Sequence, residues 1–251
     1  MSVTKYLTSI GLLAMTSSLA FAGADQVYGN QWAWDNNFNN SNISVSFGSG
    51  STPNLTFWYD FSSYGLYGYP AAIHGYHYGW NPAGDHLFPK QISAIGSANC
   101  TFSYSSGYSG SGSSNMAGDF AYDMFFRNDS SASTPELEVM IWGGNDSYPI
   151  GGQVATNVLS AGGYTFDLWM GYNSAAGYET ITFIPHGSAG QGTLPTSGSV
   201  NVNLKTFFNY LASSGNTKSY FNNSMYLDVV ECGLEITRGY GWVWVGANIP
   251  D

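Results

Sequence analysis

Charged residues are scarce in this chain, at 9% of its 251 positions. Helices that sit at a protein surface need a charged outer face, so a mainly helical fold is not expected. Positive charge is scarcer still, with six Lys and Arg against 16 acidic residues. That balance argues against nucleic acid and against anionic membrane surfaces as partners, and suits a neutral ligand. Cysteine is almost missing: only Cys100 and Cys232 occur, both on expected strands, and neither their spacing nor their context calls for a disulfide. With four scattered histidines and no Cys/His ligand spacing, neither a structural zinc nor any other metal or cofactor is expected. Long apolar runs are also lacking. The one apolar stretch near the start, Ile10–Met15, is too short to cross a bilayer, and with Lys5 before it and Ala20-Phe21-Ala22 after it reads as a secretory leader.

The expected organisation is therefore a leader over residues 1–22 and one domain over residues 23–251, exported and monomeric. Removing the leader removes Lys5 and no acid, which leaves five basic residues against 16 acidic ones and a net charge of −11. A chain of this length fits a single β-sandwich or barrel with a sizeable core.

Aromatic residues are abundant, at 17%, together with 32 glycines. Such a composition favours strands joined by Gly, Ser and Asn turns. Short alternating runs recur at Ile43–Phe47, Leu55–Tyr59, Phe120–Phe126, Tyr164–Tyr172 and Glu179–Ile184, and the last third reads as two strands, Tyr226–Thr237 and Tyr240–Val245. Gly68–Trp80, an aromatic run broken by Gly and Pro, reads as a binding loop. Asn203–Leu211 is the clearest helix, with Leu204, Phe207, Phe208 and Leu211 at helical spacing. More rings are present than one small core holds, so some are expected to line a groove and stack on the apolar faces of sugars.

The stretch Glu136–Trp142 alternates strictly. Leu137, Val139 and Ile141 form one row, and Glu136, Glu138, Met140 and Trp142 the other. Carboxylates beside a thioether and an indole suit the floor of a sugar-binding groove, although alternation alone does not choose between Glu136 and Glu138. On the strand from Tyr226, Glu231, Gly233, Glu235 and Thr237 share one face. Two distant strands thus each present two carboxylates. Glycoside hydrolysis uses two: one ionised to attack or to activate water, one protonated for the leaving oxygen. Asp123, the only charge in Phe120–Phe126, needs a partner or carries a burial cost.

These segments resemble glycoside hydrolase family 12. Glu138-Val139-Met140-Ile141-Trp142 is similar to the family's Glu-x-Met-x-Trp nucleophile strand, and Val230–Glu235 to its acid/base strand. Phe120–Phe125 is similar to its Ala-Tyr-Asp-hydrophobic-Phe strand, with further likeness at Gly68-Tyr69-Pro70, Gly75-Tyr76, Pro149-Ile150-Gly151 and Gly171-Tyr172-Asn173. The resemblance implies an all-β, two-sheet antiparallel jelly roll with an open cleft, and a secreted endo-β-1,4-glucanase acting with retention, its two carboxyl groups ~5–5.5 Å apart. It implies Glu138 as nucleophile, Glu235 as general acid/base, Asp123 hydrogen-bonded to the nucleophile and Met140 beside it. Trp34, Tyr76, Trp80 and Trp142 would contact a β-glucan substrate. Leu234 departs from the family's usual Thr before the acid/base, and the disulfide of fungal members is missing, which points to a bacterial-type member. A xyloglucan-specific enzyme of the same family and a non-catalytic carbohydrate-binding sandwich are the alternatives.

Overall fold

The computed structural model describes residues 24–38, 40–63, 65–107, 117–145, 149–190 and 196–250. The leader and most of the Gly/Ser-rich tract that follows Ser105 lie outside them. Along the chain run β1 (Asp25–Tyr28), β2 (Gln31–Trp34), β3 (Ile43–Phe47), β4 (Asn54–Phe61), β5 (Ala71–Gly75), β6 (Lys90–Gln91) and β7 (Asn99–Gly107). Then come β8 (Ala117–Arg127), β9 (Leu137–Asn145), β10 (Gly152–Ala161), β11 (Tyr164–Asn173), β12 (Tyr178–Pro185), β13 (Ser197–Asn203), the helix α1 (Leu204–Ser213) and β14 (Tyr226–Asn248).

The strands form the two sheets of a jelly roll. The first runs β1-β2-β5-β14-β8-β9-β12-β11-β10, and the second runs β3-β4-β14-β7-β13. All these pairs are antiparallel except β9 with β12. The main core lies between the sheets and is closed at one side by α1, whose Leu204, Phe207, Phe208 and Leu211 are all buried in it. Asn203 caps that helix by accepting from the Lys205 amide at 3.0 Å.

β14 belongs to both sheets. In its first half Val230, Cys232, Leu234 and Ile236 face the core; in its second half Val243, Val245 and Ala247 do. The change of parity needs a slip of one residue, and the ladder to β8 shifts between Ile236 and Arg238. Gly239 (φ 112°) and Gly241 (φ 149°) follow at once with backbone that a side chain would strain. What the sequence suggested as two strands is therefore one strand bent at a bulge.

Gly68–Trp80 is also corrected in part. Ala71–Gly75 is a fully buried strand, its backbone groups satisfied by β2 on one side and β14 on the other. The loop begins only after Gly75 (φ 111°). β10 and β13 carried no clear sequence signal; β10 is largely exposed and lies at the sheet edge, where little apolar patterning is required. Cys100 and Cys232 are both free and buried in the core.

Candidate active site

The face of the first sheet turned away from the main core is not a bare solvent face. It carries two further apolar clusters, one around Trp32, Trp34, Ile73, Phe125 and Val229, the other formed by Ala121, Met140, Trp142 and Ile184. Between them lie carboxylates from three adjacent strands. β9 contributes Glu138, β8 contributes Asp119 and Asp123, and β14 contributes Glu231 and Glu235. The β8 register sets Asp123 opposite Met140 on one side and Glu231 on the other, and Asp119 opposite Glu235. Alternation explains why they share a face: Asp119 and Asp123, like Glu231 and Glu235, are four residues apart on a strand.

Burial is unusual for so many acids. Glu138, Asp123, Asp119 and Glu231 are all buried, while Glu235 is partly open. Glu138 accepts a hydrogen bond from the Thr180 hydroxyl at 2.6 Å, across the parallel β9–β12 pair in which the two residues are register partners. Burial raises its pKa; the Thr180 bond opposes this, and the neighbouring charges of Glu235 and Glu231 add to it. Glu235 is raised as well, by desolvation, against a hydrogen bond with Asp119. Asp123 is held well above the usual carboxylate range by desolvation and then by the surrounding charges of Glu138, Glu231, Glu235 and Asp119. Like charges gathered in one dry place cannot all ionise, so the group holds protons at a pH where exposed carboxylates have none.

Aromatic residues wall the site. Trp80 meets Trp32 at 4.6 Å and Trp34 at 5.4 Å, both edge-on. Trp34 also meets His77 at 4.9 Å. Trp142 is buried beside Met140. Tyr76 is placed elsewhere: its ring packs against the main core and its hydroxyl donates to the Asp85 carbonyl at 2.9 Å. The next two residues take the position facing the carboxylates. His77 pairs through Nδ1 with Glu231 at 2.6 Å, and Tyr78, held at a left-handed φ of 47°, pairs its hydroxyl with that of Tyr178 at 2.7 Å. A non-glycine residue in that conformation costs free energy that its surroundings must offset, a feature that clusters at functional sites.

The chain matches the model of glycosyl hydrolase family 12 over residues 11–248. The chain belongs to that family. Among its relatives, Endoglucanase S of Pectobacterium parmentieri is 26% identical over 187 residues, covering 72% of this chain and 64% of its own. This chain therefore spans less than two thirds of that relative. "Inactive glycoside hydrolase XLP1" of Phytophthora nicotianae is 28% identical over 227 residues, covering 88% of this chain and 83% of its own. Among solved structures, the native family 12 xyloglucanase from Bacillus licheniformis superposes with a TM-score of 0.68 at 23% identity, covering 91% of this chain and 97% of that one. The likeness agrees with the jelly roll described above.

Placement of the sequence-predicted residues is thus mixed. Glu138, Glu235, Asp123, Met140, Trp34, Trp80 and Trp142 gather on the same sheet face and its flanking loop, and Tyr76 does not. Glu136 is exposed, accepting from the Asn128 backbone at 3.1 Å and its side chain at 2.6 Å, which separates it from Glu138. Sequence reasoning missed Thr180, Asp119 and His77. Asp119 and Thr180 were legible in principle, since each alternates with apolar neighbours on its strand, but only strand pairing shows that both meet a glutamate. The Asp123–Glu138 hydrogen bond implied by the resemblance is replaced here by the bond from Thr180, and the charge of Glu138 helps to hold the Asp123 carboxyl in its protonated form.

Proposed function

We propose that this chain is a secreted endo-β-1,4-glucanase that hydrolyses internal bonds of a neutral glucan with retention of configuration. The observation that carries this reading is the gathering of Glu138 and Glu235, from strands far apart in sequence, on one aromatic-walled face where each has a raised pKa. Family membership alone would not be enough, because one relative bears the name of an inactive protein.

Glu138, oriented by Thr180, is the nucleophile. It attacks the anomeric carbon while Glu235, protonated, gives its proton to the leaving oxygen. Once Glu138 is esterified its charge is gone, the Glu235 pKa falls, and Glu235 takes a proton from the incoming water. Partial exposure of Glu235 suits a group that must exchange a proton in each cycle. Asp123, kept protonated by its dry, acid-rich surroundings, lies beside the pair, and Met140 fills the floor. Trp80, partly exposed, holds a glucosyl unit, and the buried Trp34 and Trp142 back the wall behind it. The endoglucanase and xyloglucanase names among relatives leave the side-branching of the preferred glucan as the finer point, and a digestion panel of carboxymethyl cellulose, mixed-linkage β-glucan and xyloglucan decides it.

Glu231 is a specific rival for the acid/base role, because it sits directly opposite Asp123 whereas Glu235 sits opposite Asp119. Its carboxylate is buried and already engaged by His77, which leaves it less accessible to substrate than Glu235. Comparing Gln variants separates the two. Glu138→Gln and Glu235→Gln should each lower turnover by about 10²–10⁴-fold, with circular dichroism unchanged. Glu231→Gln should keep most of it. A Glu235→Gln enzyme near normal turnover, with Glu231→Gln inactive, would exchange the assignments; near-normal Glu138→Gln would sink the mechanism.

A further inference from the structure

The geometry points to a second carbohydrate surface, on the outer face of the second sheet, where Trp58, Trp242 and Trp244 stack the pyranose faces of insoluble β-1,4-glucan. The choice of ligand rests on the hydrolase reading above; the surface itself rests on separate residues.

Beyond the bulge in β14, Tyr240, Trp242 and Trp244 alternate with the core residues Val243 and Val245, so the three rings share the outward face. Trp58 on β4 is the register partner of Trp242. Trp58 is 48% exposed and Trp244 36%, in contrast to Trp32, Trp34 and Trp142, which are all buried. A contiguous exposed apolar patch of this kind marks a contact surface.

Two glycines give the surface its shape. A Cβ on Gly107 would lie 2.8 Å from the Trp242 indole, and one on Gly246 would lie 2.5 Å from the Trp244 indole. Gly107 is the register partner of Trp242 on β7, and Gly246 is the next outward residue after Trp244 on its own strand. Each indole thus lies over a position without a side chain, in space that any residue but glycine would fill. The flanking outward residues are short and hydroxylated: Ser44 opposite Trp58, and Ser105 opposite Trp244. They offer hydrogen-bonding groups without rising above the rings.

Charge narrows the occupant. Apart from Asp60, which faces Tyr240 at one end of the row, the register partners around the three tryptophans are neutral. A neutral polymer complements such a face; an anionic surface or nucleic acid finds no cationic row to bind. The outward positions from Tyr240 to Trp244 span about 13 Å at ~3.3 Å per residue, which favours an extended ligand. The flat side of a packed glucan presents repeated pyranose faces at that scale.

The test measures adsorption of the full chain to insoluble cellulose. The Glu138→Gln background prevents cleavage, and soluble cellohexaose at saturation occupies the cleft. Adding Trp58→Ala and Trp244→Ala should weaken adsorption about tenfold. Trp244→Phe, which keeps a ring, should recover part of it relative to Trp244→Ala. In the wild-type background the double Ala variant should hydrolyse short soluble cello-oligosaccharides at the normal rate and unfold at the normal temperature. Unchanged adsorption overturns the proposal. So does a wild-type dimer in sedimentation velocity that the double variant converts to monomer while adsorption persists, since the patch would then serve a second copy. If the wild-type chain cleaves no soluble oligosaccharide, the hydrolase reading fails by itself and the adsorption series still decides this surface.

Discussion

Glu138 is unfavourable to the fold and favourable to the reaction. Its carboxylate is buried, accepts a hydrogen bond from Thr180, and lies near other carboxylates that raise its pKa further. Glu138→Gln keeps the shape and removes the charge, so the variant should be more stable at pH 8, by on the order of 1–3 kcal/mol, read from chemical denaturation. The gain should shrink at pH 5, where the native glutamate is already protonated. Thr180→Val removes the bond that lowers the Glu138 pKa. The nucleophile then ionises at higher pH, and the acid limb of the kcat/KM profile should move upward, while the basic limb, set by Glu235, stays. An unmoved acid limb would remove Thr180 from the mechanism. Which acids stand on alternating positions was readable residue by residue. That Thr180 serves Glu138 was not, because a parallel partner strand more than forty positions away supplies it.

At the scale of elements, the spacing of Glu235 from the β8 acids depends on close approach of backbones. Gly118 has φ 147°, and a Cβ there would lie 1.8 Å from the Glu235 carbonyl oxygen. Gly118→Ala should therefore force β8 and β14 apart at the acid/base, costing several kcal/mol of stability, ~3 or more. Activity should fall further than in a variant of equal stability altered elsewhere, and a crystal structure of the variant should show Asp119 and Glu235 too far apart to share a hydrogen bond. Strand alternation made β3, β4, β8, β9, β11 and β12 legible, and 3.6-residue periodicity did the same for α1. The bulge in β14 was not legible, since Gly239 and Gly241 look like a turn between two strands until pairing with both sheets is seen. β5 was hidden for a related reason. A short strand buried on both faces does not alternate, and it lies among glycines, proline and aromatics that signal a loop.

For the whole molecule, the clustered acids set how stability varies with pH. Asp123, Glu138 and Glu235 have raised pKa values, and Asp228, desolvated beside Arg127, is pushed up to about 7. In each case the folded state keeps its proton longer than the unfolded state. Their contribution is fully present at and below the ordinary carboxylate pKa and is lost as pH rises to the folded values. Asp167 has the opposite sign. Although burial pulls it up, hydrogen bonds from Asn157, His186 and Gly187 outweigh this and hold it low, so its contribution is lost on strong acidification. The unfolding midpoint should accordingly be higher at pH 5 than at pH 8, by an amount worth a few kcal/mol at most. A midpoint that rises from pH 5 to pH 8 would contradict the raised values.

Composition and periodicity by themselves determined an all-β chain with one helix, its strongly acidic balance of charge, and the faces on which Glu138, Glu231, Glu235 and Asp123 stand, because side-chain direction on a strand follows from local geometry alone. Tertiary structure decided which of those faces meet. It set β8 between β9 and β14, bringing five acids together. It sent Tyr76 to the core and His77 to Glu231, and laid Trp242 and Trp244 over glycines on the opposite side of the molecule. Those outcomes depend on register between strands distant in the chain, and register is fixed by packing that no single stretch of sequence contains.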